Sequence, residues 1–320
     1  MNAAVLHAFH KPPHFGEFSE PAPADENEVM VHVLAAALKP VDKQIASGSH
    51  YASPRELPVV CGLDGVGRLE DGTRVYFAGS RPPCGAMAQR TVVSRQRCFA
   101  LPQEIDDLTA AAVMNPGVSA WLTLAQRAKL VRGETVLILG ATGVTGKLAV
   151  QIAKILGAGR VVAAGRNEKV LSTLHDLGAD VIIRIDKPGH DLKAAFADAA
   201  GDSGFDVIID YLWGRPTEAL LAALTRKEFA AVKGEIRLVQ VGESAGATIA
   251  VPAAVLRSTP LTIMGTAGIP SPDILMDALH QVMTRTAHGE LHIDVEPVPL
   301  AQVERVWQRD GRGRRIVLIP

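Results

Sequence analysis

The sequence predicts an α/β protein, in which a doubly wound parallel sheet is joined to a second, β-rich domain. Three observations carry this prediction. From about residue 116, short apolar runs alternate with helical patterns, as they do in a parallel sheet with helical crossovers. Before that point, strand-like runs are separated by proline and glycine. The length of 320 residues also exceeds one typical domain, so we expect two.

The first 115 residues have an all-β texture. Five runs favour strands: Ala3–Leu6, Val29–Ala36, Gly65–Leu69, Arg74–Phe77 and Ala88–Val93. Near the other end of the chain, a helical pattern from Pro272 to about His288 leads to short strands, of which Arg315–Ile319 is the last. We expect this tail to rejoin the N-terminal strands. The predicted domains are therefore residues 1–115 with 270–320, and residues 116–269.

The second domain is predicted to contain six strands. They are Thr135–Leu139, Arg160–Ala164, Val181–Ile185, Asp206–Asp210, Glu235–Val241 and Leu261–Met264. The helical segments between them include Glu168–Leu177, Asp191–Ala199 and Arg215–Ala231. A doubly wound sheet of this kind binds its ligand at the carboxyl ends of the strands.

The most informative segment is Gly140–Gly146, which follows the strand Thr135–Leu139 and precedes a helical pattern that ends at Gly157. Strand, glycine turn, helix and second strand within about thirty residues form the unit that binds a dinucleotide pyrophosphate. Glycines let backbone N–H groups approach the phosphates, which lie at the positive end of the following helix. The segment therefore predicts a dinucleotide site.

The end of the strand Arg160–Ala164 indicates which dinucleotide binds. Sites specific for NAD place an Asp or Glu there, which accepts hydrogen bonds from the adenine ribose 2′-OH. This chain has Gly165, Arg166 and Asn167 instead, with Lys169 just beyond. A guanidinium can hold a 2′-phosphate through paired hydrogen bonds, whereas a carboxylate repels it. We therefore predict NADPH; the alternative is that Arg166 and Lys169 are solvated charges at a helix start.

Composition excludes several classes of partner. The net charge of −1, from 33 basic and 34 acidic residues, gives no electrostatic reason to expect nucleic acid or an acidic membrane. The basic run Arg309–Arg315 is interpreted as a solvated turn before the last strand. No signal peptide is evident, and no apolar segment is expected to reach membrane-spanning length. Cys61, Cys84 and Cys98 are an odd number in a long chain, which favours reduced thiols and a cytoplasmic protein.

Six motifs in order carry a family resemblance: Lys39–Asp42, Ser47–Pro58, Gly62–Gly67, Gly117–Trp121, Gly140–Gly146 and Gly313–Leu318. Over nearly its whole length the chain resembles the medium-chain dehydrogenase/reductase superfamily, and within it the zinc-independent quinone-oxidoreductase-like enzymes. The resemblance implies a GroES-like β-rich catalytic domain, a Rossmann domain, a cleft between them and hydride transfer from NADPH. Similar enzymes dimerise through the last strand of the parallel sheet. We therefore expect a homodimer through Leu261–Met264.

The zinc-dependent relatives supply Cys and His ligands at two of these places, because a catalytic zinc needs three such ligands and an open position. This chain has Lys39 and Leu63 there. A structural zinc would need a four-cysteine cluster after the strand Gly72–Val75, and the sequence there carries only Cys84. We therefore predict no metal. Quinones and α,β-unsaturated carbonyl compounds fit such a site, since they accept hydride with little electrophilic help.

The residues predicted to be catalytic are Lys39, Tyr51 and Asp42. Tyr51 matches a tyrosine that lines the active-site mouth in similar enzymes; its hydroxyl could polarise the acceptor, or its ring could simply pack on a loop. Lys39 replaces the asparagine of the family. It could contact the nicotinamide ribose, face the substrate as an acid with a pKa lowered by burial, or extend to the surface. Asp42 could pair with Lys39 or act as a helix N-cap acceptor.

The resemblance and the strand ends together give a predicted cofactor site. Its residues are Ser119, Thr142, Gly143, Val144, Thr145, Arg166, Asn167, Lys169, Tyr211 and Gly242. The predicted function is a zinc-independent, NADPH-dependent reductase of quinones or α,β-unsaturated carbonyl compounds. The alternatives are a dedicated enoyl reductase of a biosynthetic pathway, in which Lys39 is the acid, and a non-catalytic NADPH-binding redox sensor.

Overall fold

A computed structural model describes residues 1–186, 191–225, 234–266, 268, 270–311 and 313–320. The chain divides into two compact units, Met1–Asn115 with Gln281–Pro320, and Pro116–His280. The second boundary falls inside a helix, Pro272–Ala287, whereas the boundary drawn from the sequence precedes that helix. A helix that continues across residue 280 contributes residues to both units, and no composition signal marks such a point.

The described strands are β1 Asn2–Leu6, β2 His14–Glu17, β3 Glu28–Ala37, β4 Val59–Val60, β5 Asp64–Arg68, β6 Arg74–Ala78, β7 Arg90–Ser94, β8 Cys98–Ala100, β9 Thr135–Leu139, β10 Arg160–Gly165, β11 Val181–Arg184, β12 Val207–Asp210, β13 Ile236–Gln240, β14 Leu261–Gly265, β15 Val295–Pro299 and β16 Arg315–Ile319. The described α-helices are α1 Pro40–Ser47, α2 Asp107–Trp121, α3 Val144–Ile155, α4 Glu168–Leu171, α5 Leu192–Ala200, α6 Gly214–Leu224, α7 Ala253–Ser258, α8 Pro272–Ala287 and α9 Val303–Trp307. Short 3₁₀ helices occupy Arg95–Arg97 and Leu300–Gln302, and a π-helical stretch, Leu122–Arg127, continues α2.

The first unit contains two sheets. A three-stranded sheet has the order β2-β1-β4, and a seven-stranded sheet has the order β15-β16-β3-β5-β6-β8 with β7 paired to β3, among the described residues. The C-terminal tail returns to the N-terminal strands, because β16 pairs antiparallel with β3, Val317 opposite Ala37. Phe77, Met87 and Trp307 fill the core of this unit.

The second unit contains a parallel sheet in the order β11-β10-β9-β12-β13-β14, as far as the chain is described. In the unit's own numbering this is 3-2-1-4-5-6, the order of a Rossmann fold. Residues Val136–Leu139 and Val161–Ala164 are fully buried, as expected of strands that are covered on both faces. The predicted α/β fold class and all six predicted strands of this sheet are confirmed.

Two of the predicted helices differ. The helix expected over Glu168–Leu177 ends at Leu171. Beyond it, backbone N–H groups donate to the carbonyl three residues earlier, Thr173 to Val170 and Leu174 to Leu171, instead of four residues earlier as in an α-helix. The Thr173 hydroxyl also donates to the Val170 carbonyl, and this competes with helical bonding. The helix expected over Arg215–Ala231 is described as Gly214–Leu224, and its predicted residues 226–231 lie outside the described part of the chain.

One helix corrects the expectation that no apolar segment reaches membrane-spanning length. The helix Asp107–Arg127, which combines α2 with its π-helical continuation, is 21 residues long and apolar enough to cross a membrane by length and composition. Of its most apolar stretch, 67% is buried inside the protein, and core helices of globular proteins meet the same criterion. Its alanines Ala110–Ala112 are fully buried, as expected of a core helix.

Candidate functional site

The glycine turn follows β9 and ends in the first turn of α3. Gly140 has φ 89°, a left-handed conformation that favours glycine, and its N–H donates to the Ala164 carbonyl of β10. Gly143 is the N-cap of α3, so Val144 and Thr145 are its first residues. Because the first N–H groups of a helix have no intrahelical acceptor, the turn can donate them to an anion.

The glycines of this turn serve different purposes. A Cβ on Gly146 would overlap the Gly140 carbonyl oxygen, so glycine is needed there for the helix to pack against the turn. A Cβ on Gly143 would meet only the same oxygen at 3.3 Å, and Gly143 is exposed. The fold therefore requires glycine at residue 146. At Gly143 the backbone has an open face, which a ligand can contact.

The end of β10 lies against this turn. A Cβ on Gly165 would lie 2.5 Å from the Thr142 Cγ2 atom, so the absence of a side chain at this position is a packing requirement. Arg166 and Lys169 are exposed, whereas the Asn167 side chain caps α4 by accepting the Val170 N–H at 3.4 Å. The nearby carboxylate of Glu168 is paired with Arg184 at 2.8 Å. The surroundings are therefore compatible with a 2′-phosphate.

Two further residues of the predicted site converge on the same edge of the sheet. Tyr211 follows β12, Gly242 follows β13, and a Cβ on Gly242 would lie 2.8 Å from the Tyr211 carbonyl oxygen. A Cβ on Gly140 would lie 3.2 Å from the Tyr211 Cβ. The Tyr211 hydroxyl oxygen is buried without a hydrogen-bond partner among the described residues, and burial raises its pKa. Ser119 lies on α2, where its carbonyl accepts the Thr123 hydroxyl.

The first unit contains a buried charge cluster around Lys39, whose side chain is 1% exposed. Its ammonium donates to Asp64 Oδ1 at 2.8 Å and to the Ala37 carbonyl at 3.0 Å, and it lies 3.2 Å from Asp42 Oδ2. These three acceptors match the three donors of an ammonium group. Burial alone would lower the pKa of Lys39, but the charges of Asp42 and Asp64 raise it above its ordinary value. This corrects the expectation of a lowered pKa.

Asp42 plays both of the roles that were left open for it. It pairs with Lys39, and as the third residue of α1 it accepts the Lys39 backbone N–H at 2.8 Å. Its other oxygen accepts the Leu63 N–H at 3.0 Å. The carboxylate thereby ties the start of α1 to the segment before β5.

Sequence reasoning missed three members of this cluster. Asp64 accepts the Tyr76 hydroxyl at 3.1 Å, and both side chains are buried. Arg315 is 5% exposed and donates to the Leu38 carbonyl at 3.0 Å, so the interpretation of Arg309–Arg315 as a solvated turn is wrong at this residue. Burial lowers the pKa of Arg315 although Asp42 and Asp64 oppose that shift. The available signal was a charge at the start of an apolar strand, as at Arg315 before Ile316–Ile319, because a charge that such a strand buries requires a partner.

Tyr51 lies elsewhere on the first unit, in the loop after α1. Its side chain is 96% exposed, and its ring packs against His50 with the centroids 4.0 Å apart. The structure therefore does not bring Tyr51 into the charge cluster. An exposed phenol can reach a molecule from solution, which the buried Lys39 ammonium cannot.

The two positions where zinc-dependent relatives carry ligands hold Lys39, which is paired as above, and Leu63. Within the described ranges, no group of three or more His, Cys, Asp or Glu side chains lies in a metal-binding arrangement. The prediction that the protein binds no catalytic zinc thus rests on the residue types at these two positions.

Comparison with known proteins extends this description. The zinc-binding dehydrogenase family matches residues 144–275. The chain is 25% identical over 362 aligned residues to the probable NADPH-dependent quinone reductase tdiC of Emericella nidulans, and the match covers 100% of both proteins. It is 30% identical over 270 residues to quinone oxidoreductase-like protein 2 of Bos taurus, covering 82% of this chain and 74% of that protein.

Among solved structures, the chain superposes on the quinone oxidoreductase of Thermus thermophilus, whose structures include a complex with NADPH. The TM-score is 0.80 at 27% identity, and the match covers 100% of both chains. The glycine turn, the strand order and these matches agree with one another. The chain belongs to the medium-chain dehydrogenase/reductase superfamily, in its quinone-reductase-like branch.

Proposed function

We propose that this protein is an NADPH-dependent oxidoreductase that transfers hydride, without zinc, to quinones or α,β-unsaturated carbonyl compounds. The observation that carries the proposal is the meeting of the glycine turn with a β10 end that bears Gly165 and Arg166 instead of a carboxylate. The relatives named for quinone reduction and for NADPH support it. Hydride transfer to such acceptors places the developing negative charge on an enolate or hydroquinone oxygen, which needs no metal Lewis acid.

The residues of the second unit fit NADPH. Its pyrophosphate would lie at Thr142–Thr145, where the start of α3 offers N–H groups and Gly143 leaves an open face. Arg166, with Asn167 and Lys169, would hold the 2′-phosphate. Ser119, Tyr211 and Gly242 complete the proposed site. NADPH supplies the hydride from C4 of its nicotinamide.

The proposed roles of Lys39, Asp42 and Tyr51 follow from their exposure. The Lys39 ammonium is saturated by Asp42, Asp64 and the Ala37 carbonyl. Asp42 in turn accepts the backbone N–H groups of Lys39 and Leu63, so we assign both side chains the positioning of the start of α1 against the segment before β5. Tyr51 has an exposed hydroxyl, and we assign it the polarisation of the acceptor oxygen or proton donation. Tyr51→Phe should then slow an enone, which needs a proton at carbon, more than a quinone, which can take protons from water. If Tyr51→Phe keeps the rates of the unsubstituted protein on both acceptors, Tyr51 takes no part in the chemistry.

The assembly and location that we propose rest on two features. Among the described strands β14 pairs only with β13, and Leu261–Met264 is only partly buried, so its other edge is available to a second copy. We propose a homodimer in which the sheet continues across the twofold axis.

The three cysteines are free thiols, which supports our proposal of a cytoplasmic location. We propose no nucleic acid or membrane partner.

The deciding experiment measures NADPH oxidation by the purified protein across a panel of quinones and enones, with NADH as the cofactor control. Turnover of several acceptors supports the proposal, and turnover of a single enoyl substrate would indicate a dedicated enoyl reductase. Tight NADPH binding without turnover of any acceptor would indicate a redox sensor. Preference for NADH would contradict the assigned role of Arg166.

A further inference from the structure

The loop after β12, residues Tyr211–Gly214, has a strained backbone and is called the β12 loop below. Trp213 has φ 57° and ψ −163°. Only glycine adopts this region readily, because a Cβ there crowds the backbone. Gly214, which follows, has φ 62°. A tryptophan stays in such a conformation only where the surrounding contacts impose it.

Asp210, the last residue of β12, makes those contacts. It is fully buried, and one carboxylate oxygen accepts the N–H groups of Leu212 at 2.8 Å and Trp213 at 2.9 Å. The other oxygen accepts the Thr217 hydroxyl at 2.5 Å. Burial raises the pKa of Asp210 while its three hydrogen bonds favour the carboxylate. One side chain thus fixes both ends of the turn that contains Trp213.

The loop after β13 needs this shape. The Ala245 N–H donates to the Leu212 carbonyl at 2.8 Å, and the Ser244 hydroxyl donates to the Tyr211 carbonyl at 3.0 Å. A Cβ on Gly214 would lie 2.6 Å from the Ala245 carbonyl oxygen. The two loops therefore form one packed layer, and a relaxed Trp213 backbone would disrupt it.

This layer borders the glycine turn. A Cβ on Gly140 would lie 3.1 Å from Leu212 Cδ2. In the sheet, β10 and β12 flank β9 on opposite sides. Arg166 follows β10, so the adenosine half of a dinucleotide belongs on that side and the other half belongs beside β12.

We propose that Asp210 is a positioning residue that holds the β12 loop, with the strained Trp213, in the shape that receives the nicotinamide half of NADPH. The inference rests on the proposed function, since it assumes that NADPH binds at this edge. A loop that is fixed before the cofactor arrives does not have to be ordered on binding, which favours affinity.

The test compares two ligands. Asp210→Ala should weaken the Kd for NADPH by about tenfold, the effect of releasing one strained residue. It should leave the Kd for 2′,5′-ADP, which carries only the adenosine half, unchanged. Both constants are measured by titration at a temperature where circular dichroism shows the variant folded. Asp206→Ala is the matched control, because Asp206 precedes the same strand at its other end and its carboxylate accepts the Thr135 N–H from a neighbouring strand. It should change neither Kd.

Two backgrounds show whether Asp210 acts through the Trp213 backbone. Trp213→Gly and Trp213→Ala both remove the indole, but only glycine adopts the strained conformation freely. Asp210→Ala should therefore weaken NADPH less in the Trp213→Gly background than in the Trp213→Ala background. Should Asp210→Ala fail to fold, Thr217→Val, with Thr217→Ser as its conservative partner, replaces it in the same comparison.

The outcomes separate the inference from the proposed function. Equal losses for NADPH and 2′,5′-ADP, equal effects in the two Trp213 backgrounds, or no change at all would each overturn the positioning role. Failure of the unsubstituted protein to bind NADPH would overturn the proposed function and this inference with it.

Discussion

Replacing Lys39 by methionine tests whether the ammonium balances the buried carboxylates of the first unit. Methionine is similar in length and apolar, so the substitution removes the charge and its hydrogen bonds while it keeps most of the packing. Asp42 and Asp64, whose side chains are each 1% exposed, would then retain Arg315 as a nearby buried cation. The charges of the two carboxylates oppose the lowering of the Arg315 pKa. The cluster changes from two cations and two carboxylates to one net negative charge.

The magnitude follows from burial and geometry. Lys39 loses a 2.8 Å bond to Asp64, a 3.2 Å ion pair with Asp42 and a 3.0 Å bond to the Ala37 carbonyl. Removing one partner of a buried ion pair costs about 3–5 kcal/mol, because the other charge stays buried without compensation. We expect a loss of that size in the free energy of unfolding of the first unit at neutral pH.

The assay must report on this unit alone, since a chain of two units need not unfold in one step. Trp307 is buried in the core of the first unit, whereas Trp121 and Trp213 belong to the second. A background with Trp121→Phe and Trp213→Phe therefore makes tryptophan fluorescence a local probe. Guanidinium unfolding is then compared between this background and the same protein with Lys39→Met.

Two results would refute the reasoning. The first is a loss no larger than that of Lys43→Met. Lys43 is a matched lysine one turn further along α1, where it is half-buried and donates to the Arg309 carbonyl. The second concerns alkaline pH. The pKa of Lys39 in the folded protein is raised above its ordinary value of 10.5. Its contribution to the free energy of unfolding is therefore complete below pH 10.5 and is lost as the pH rises through the raised pKa. An alkaline loss that is the same with and without Lys39 would contradict this account.

The remaining predictions concern the cofactor, the turn, the metal and the assembly. Arg166→Ala should weaken NADPH by roughly 1.5–3 kcal/mol and leave NADH nearly unchanged, and equal losses in titration would assign Arg166 a structural role. Gly143→Ala should keep the melting temperature of the unsubstituted protein but bind NADPH more weakly. Gly146→Ala should have a lower melting temperature, because its Cβ would overlap the backbone of the turn. A larger drop in melting temperature for Gly143→Ala than for Gly146→Ala would contradict the roles assigned to these glycines. Elemental analysis should find no stoichiometric zinc, and one zinc per chain that is removable with loss of activity would overturn the zinc-free chemistry. Light scattering should give a dimer mass, and a monomer at micromolar concentration would count against pairing through β14.

Local sequence patterns predicted the second unit well because a Rossmann fold is built from short-range units. An apolar strand, a glycine turn and an amphipathic helix lie within Thr135–Ile155. Each of them is recognisable from the pattern of its own consecutive residues. Helix ends were predicted less well. At Glu168–Leu177 the apolar period continues, but side-chain and backbone bonds to nearby carbonyls end α4 at Leu171.

The sequence by itself determined the α/β fold class, the six strands of the parallel sheet and the glycine turn. It also determined that Gly165–Asn167, at the end of β10, contain no carboxylate, and that Lys39 and Leu63 occupy the places of zinc ligands. Only the tertiary structure decided that Lys39 is paired between Asp42 and Asp64 and that its pKa rises. The partners lie as far as residue 64 along the chain, and the balance between burial and charge depends on distances that no local pattern encodes.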